Sequence, residues 1–299
     1  MNMHRHITGG CQLAGMAAGI LLSLGGLPAA AQAPIIAAPD QPGRMAAPGP
    51  MDRPGQGFNA FSADMAPPPA ARLNTEAEPV VVELFTSQGC SSCPPADHML
   101  NRLGDDPEIL PLSYHVDYWD YLGWADSFAS PEFTERQEAY ARSAGERSVY
   151  TPQIIVNGAD TAVAPSPAQL MGLIDAHRFA PAMLNVDREA TDQGETIELM
   201  PLSDIGGAVD VVLVRYLPER LVNVTAGENR GKTVRYSNIV VQMELLSRWD
   251  GAAPLRLSVH PEEIRDADFP ADTRHALLVQ RMLGNEALPG KILAALRLD

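Results

Sequence analysis

Cysteine is scarce in this sequence: three residues among 299. Two of them, Cys90 and Cys93, stand in "ELFTSQGCSSCPP". There is no second C-x-x-C and no H-x-x-x-H, so a closed metal site around this pair lacks its fourth ligand. Positive charge is also short. Lys and Arg number 22 against 37 Asp and Glu, giving a formal net charge of -15 and a pI of about 4.8. That balance argues against a nucleic-acid backbone or an anionic membrane surface as partner. Long apolar runs are nearly absent. The single run, "LAGMAAGILLSLGGL" at residues 13 to 27, is too short and glycine-rich for a comfortable bilayer span. It follows the polar start "MNMHRH" and precedes the small residues "PAAAQA". Residues 1–31 therefore read as a signal peptide cut after Ala31, leaving no stable membrane span and a periplasmic or secreted chain. Cys11 precedes the apolar run, where no lipid could be attached, and leaves with the signal. The mature chain then holds Cys90 and Cys93 in an oxidising compartment. They can pair with each other, with a substrate thiol, or with a metal.

What is present is enough for a packed core, since 45% of the chain is hydrophobic. Ten of the 26 prolines fall between residues 34 and 79. Such a stretch cannot bury enough apolar area to offset its ordering entropy, so residues 32–78 read as a disordered Pro/Ala/Gly-rich linker. Folded structure begins with "PVVVELFT", a strand buried on both faces. In "PPADHMLNRL", Ala96, Met99, Leu100 and Leu103 share one helical face. "ILPLSYHVD" is a second strand. "SPEFTERQEAYARSAGE" is a helix with Ser130 as N-cap and Pro131 in its first position. Gln153–Val156 and Asp160–Val163 flank an Asn157-Gly158 hairpin. A capping box of Ser166 and Gln169 opens a last helix. The order over 79–182 is β-α-β-α-β-β-α. Residues 183–299 carry short strand-like runs with turns between, which suggests a smaller, mostly-β, sandwich-like C-terminal module. "AGENRGKT" has one residue too few for a phosphate loop and reads as a turn.

The element order, the C-x-x-C after strand one and the Thr151-Pro152 step before strand three together resemble the thioredoxin fold over roughly residues 79 to 180. "ELFTSQGCSSCPPAD", "YHVDYWDYLGW", "YTPQIIVNG" and "GENRG" resemble more narrowly the secreted bacterial domain-of-unknown-function 1223 family, which is thioredoxin-like. The resemblance implies thiol–disulfide exchange through a Cys90-Cys93 dithiol or disulfide, on protein thiols or disulfides of the envelope, with no cofactor. It implies a cis Pro152 beside the sulfurs, with Thr151 holding an incoming peptide, and Glu83 as a proton relay to the inner thiol. Cys90, just ahead of the helix, is the expected nucleophile and the more exposed thiol; Cys93 resolves. Tyr118, Trp119, Trp124 and Tyr150 are the candidate substrate rim. One alternative is a metallochaperone holding copper or zinc through Cys90, Cys93 and His115. Another is a non-catalytic binding protein in which the disulfide is structural.

Overall fold

The computed structural model describes residues 78–191, 194–260, 264 and 267–299. The expected signal peptide with Cys11, the expected cut after Ala31 and the expected linker up to residue 77 lie outside the described residues. Four elements open the fold: β1 (Val80–Thr86), α1 (Pro94–Leu103), β2 (Ile109–His115) and α2 (Pro131–Ser143). Next come β3 (Gln153–Val156), β4 (Asp160–Val163) and α3 (Pro167–Arg178). Seven strands follow, with no other helix of comparable length among the described residues: β5 (Leu184–Thr191), β6 (Gly194–Pro201), β7 (Val209–Asn223), β8 (Thr233–Trp249), β9 (Leu255–Val259), β10 (Arg274–Leu283) and β11 (Leu288–Arg297).

Local sequence sets these elements. Ser130 caps α2 by accepting from the Glu132 amide, and Pro131 supplies a preset φ at the first turn. At α3 the Ser166 hydroxyl accepts from Gln169 N at 3.3 Å while the Gln169 side chain accepts from Ser166 N at 2.9 Å. Every residue of β1 and β2 is buried, as suits a parallel pair covered on both faces. Side chains alternate along β1. Val80, Val82 and Leu84 pack with Leu100 and Leu103 of α1 and Ile174 of α3. Val81 and Phe85 face the other way, onto Tyr114, Phe133, Tyr140 and the later strands. Full burial of one such aliphatic side chain stabilises by about 1.5–3 kcal/mol.

The chain is a mixed α/β structure, and its sheet corrects one expectation. β7, β8, β10 and β11 do not form a separate module. They continue the first sheet, in the order β11-β10-β7-β8-β2-β1-β3-β4. The seam between the early and late strands is a single bridge, Ser113 with Ile239. Only β5, β6 and β9 form a second sheet, of three strands. It packs Val186, Ile197 and Leu199 onto Val211, Leu277 and Val279 of the large one. Exposed edge strands are costly, and β2 gains a neighbour by pairing with β8. The sequence carries no mark of which strand will extend an open sheet. β5, with charges and alanine among its apolar residues, also lacked a recognisable strand pattern.

Candidate functional site

The cysteine pair lies where β1 runs into α1. Two tight turns carry the chain there: Cys90 N donates to Ser87 O at 3.1 Å and Cys93 N to Cys90 O at 3.3 Å. Cys93 is the N-cap of α1, with Pro94 and Pro95 after it. Its carbonyl accepts from Ala96 N at 2.8 Å and Asp97 N at 3.1 Å. Cys90 and Cys93 form a disulfide, S–S 2.05 Å, with Cα atoms 5.4 Å apart.

Both cysteines are 0% exposed, whereas Ser91 and Ser92 stand in solvent. The expectation of an exposed Cys90 is therefore corrected, and distant parts of the chain hold the loop that carries it. Asn229, in the turn between β7 and β8, donates from Nδ2 to Gln88 O at 2.9 Å and to Cys90 O at 2.8 Å. Gln88 is further held by Trp124 Nε1, which donates to its Oε1 at 2.8 Å, and by Asp126, which accepts from its amide at 2.7 Å. Gly89 must be small: a Cβ there meets Trp119 Cβ at 3.2 Å.

Thr151 and Pro152 stand alongside, joined by a cis bond. The Ser92 hydroxyl, 3.4 Å from Cys90 Sγ, donates to Thr151 O at 3.5 Å. Trp119 Nε1 donates to Thr151 Oγ1 at 2.8 Å. Trp119 and Trp124 thus brace the loops beside the pair. Tyr118 and Tyr150 both meet Gln137 of α2, through the Tyr118 hydroxyl (3.1 Å) and the Tyr150 carbonyl (2.7 Å), and the Tyr118 hydroxyl also interacts with the Thr151 side chain.

Glu83 does not serve the inner thiol. Strand alternation turns it away from α1, to the face of Val81 and Phe85. There its carboxylate accepts from Arg136 Nε at 2.8 Å and from the Tyr140 hydroxyl at 2.5 Å. Burial works against the Arg136 charge, but Glu83 outweighs it and the guanidinium is held protonated. Glu83 is the buried anion of a structural ion pair.

The acid on the cysteine side is Asp97, which sequence reasoning passed over. It lies four residues after Cys93 on the buried face of α1, among Ala96, Leu100 and Leu103. Its Oδ1 accepts from Thr86 Oγ1 at 2.8 Å, and Oδ2 is buried without a protein partner. Burial pushes its pKa up to about 7, against the lowering pull of Thr86 and His115. The available signal was an aspartate set between the apolar positions of an amphipathic helix. His115 lies nearby on β2, paired in register with Thr86. Its Nδ1 is 2.7 Å from Asp126 Oδ2, and its ring meets Tyr236 of β8 edge-on at 4.8 Å. Burial acts to raise Asp126, but His115 and the amides of Gln88 and Phe128 outweigh it and hold the carboxyl below its usual range. Among the described residues no three His, Cys, Asp or Glu side chains gather as a metal-ligand group. The alternative set Cys90, Cys93 and His115 is not among such groups; His115 commits Nδ1 to Asp126, and its Nε2 is buried without a protein hydrogen-bond partner.

No helix among the described residues is long and apolar enough to cross a membrane. No curated protein matches the chain. Among solved structures, the crystal structure of a protein from Agrobacterium tumefaciens is similar at 34% identity and a TM-score of 0.60, over 75% of this chain and 95% of that one. HBP35 of Porphyromonas gingivalis aligns at 15% identity and a TM-score of 0.48, over 74% of each chain. The family described as protein of unknown function (DUF1223) matches residues 81–280, and the chain belongs to that family.

Proposed function

We propose that the protein is a thioredoxin-like thiol–disulfide exchange protein of the periplasm or cell exterior, acting on protein thiols or disulfides. The observation that carries this reading is the Cys90–Cys93 disulfide at the start of α1 with the acid Asp97 buried on the same helical face. A partner thiolate attacks Cys90 Sγ, the Cys90–Cys93 bond breaks, and Cys93 leaves as a thiolate. Asp97, with its pKa near 7, supplies the proton that Cys93 takes. A second partner thiolate then attacks the partner's own sulfur in the mixed disulfide. The partner leaves with a disulfide and Cys90 leaves as a thiol or thiolate, so two electrons pass to the protein. The reverse sequence reduces a partner. The two-cysteine mature chain and the signal-like start support an oxidising compartment.

The burial of both sulfurs favours a second reading, a structural disulfide. Equilibration against glutathione buffers separates the two. A reduction potential between about -270 and -120 mV, the range of known exchange proteins, supports exchange; a value below about -300 mV overturns it in favour of a structural bond.

A further inference from the structure

The turn between β7 and β8 is far from the cysteines in sequence, yet it is bonded to the loop that carries Cys90. Asn229 is 0% exposed although it sits at the tip of a long two-stranded arm. Both its amide hydrogens are directed at carbonyls of the cysteine loop, Gln88 O and Cys90 O. Its Oδ1 accepts from Lys232 Nζ at 2.8 Å, which fixes the amide orientation. The tip closes on itself through Gly231 N to Val224 O at 2.7 Å and Val224 N to Lys232 O at 2.9 Å. Gly227, at φ +69°, seats it against Trp124, where a Cβ meets Trp124 Cβ at 3.1 Å. A buried asparagine spanning two carbonyls costs nothing only while both bonds are kept. Attack on a disulfide needs a nucleophile in line with the S–S bond, and a pair with 0% exposure offers no such line.

We propose that Asn229 is a positioning residue that latches the β7–β8 tip onto the cysteine loop. The latched arm keeps Cys90 Sγ out of reach, and release of the two Asn229 bonds admits the attacking sulfur. The inference rests on the exchange reading for its purpose, but its test does not. A water-soluble phosphine attacks one sulfur and breaks the S–S bond. Hydrolysis then leaves phosphine oxide and two thiols, so the rate reads access alone, whatever the reduction potential.

The oxidised full chain is reduced by tris(2-carboxyethyl)phosphine, and thiols are counted over time. Asn229→Ala is expected to react about ten-fold faster than wild type, the loss of two buried hydrogen bonds. Asn229→Asp gives a readout that looser folding does not mimic. Ionised, its carboxylate repels the two carbonyls; protonated, its single O–H donates to one of them. Its rate relative to wild type should be high at pH 8 and fall several-fold by pH 4. Lys232→Met, an exposed change that removes the brace on Asn229 Oδ1, should give a two- to three-fold increase and covers the case in which Asn229→Ala does not fold. Rates within two-fold of wild type for folded Asn229→Ala, or for Lys232→Met if the former fails to fold, overturn the latch. So does an Asn229→Asp rate ratio that does not change with pH. A structural potential with faster phosphine reduction of Asn229→Ala overturns exchange and keeps the latch.

Discussion

Cys93 and Asp97 share the buried face of α1: the Asp97 amide donates to the Cys93 carbonyl at 3.1 Å, one turn on, and both side chains are enclosed. An acid placed there is costly to ionise, since burial penalises its charge. The cost has a pH signature. In the unfolded chain an aspartate loses its proton near pH 4; folded Asp97 keeps it to about pH 7. Between those values the folded state binds the extra proton. This group's contribution to stability is therefore lost as pH rises from about 4 to 7 and levels off above. Asp97→Asn removes the dependence. Relative to wild type, it should gain about 2–4 kcal/mol between pH 4 and pH 8 in urea unfolding. An equal difference between the two proteins at both pH values refutes the raised pKa.

Glu83 makes the opposite expectation. It is fully buried against Arg136 and Tyr140, on the sheet face away from α1. Glu83→Gln leaves the Arg136 charge without its anion, at a cost of about 3 kcal/mol or more. The alkylation rates of reduced Cys90 and Cys93 should stay within two-fold of wild type. A larger change in a folded Glu83→Gln protein restores Glu83 as a proton relay.

Trp119 and Trp124 are expected to act through the loops they brace. Trp119→Phe keeps most of the ring and loses the bond to Thr151 Oγ1, at about 1 kcal/mol. Trp124→Phe loses the bond to Gln88 Oε1 and loosens the cysteine loop from its far side. Its disulfide should be reduced faster by phosphine than that of Trp119→Phe. If the order is reversed, the Gln88 anchor does not control access.

The difference between Glu83 and Asp97 shows what the sequence can carry. Local features were legible: the capping box at Ser166, the Ser130 cap and the start of α1 behind the cysteines all depend on neighbours within a few residues. The strand alternation that sends Glu83 away from α1 was also present in "VVVELF", but its meaning depends on which face each helix covers. Asp97 lay inside a helix pattern whose apolar positions drew attention instead. The reach of Asn229 to Cys90 spans 139 residues, and the joining of β8 to β2 by one bridge leaves no local trace. Both are set by how the whole sheet closes, which no spacing rule records.

The division of labour between the two cysteines is the last expectation, and α1 qualifies the reason for it. Pro94 and Pro95 fill the first two helical positions and have no N–H, and the next two amides go to the Cys93 carbonyl. A Cys90 thiolate thus gains the helix dipole but none of the first four amides. The Ser92 hydroxyl, 3.4 Å from Cys90 Sγ, can turn its one hydrogen from Thr151 O to a Cys90 thiolate. Cys93 has no such side-chain donor among the described residues and faces the buried Asp97 side. Cys90 should be the more acidic thiol and the site of first attack. Cys93→Ala should accumulate mixed disulfides with envelope proteins, since no second thiol releases them; Cys90→Ala should accumulate few. Iodoacetamide labelling of the reduced protein across pH, mapped to each site, should place Cys90 below the free-thiol value of about 8.5. Ser92→Ala should move it back toward that value by up to about one unit. If Cys93 labels first, or if Ser92→Ala leaves Cys90 unchanged, the hydroxyl is not what activates it and the order of attack is reversed or shared.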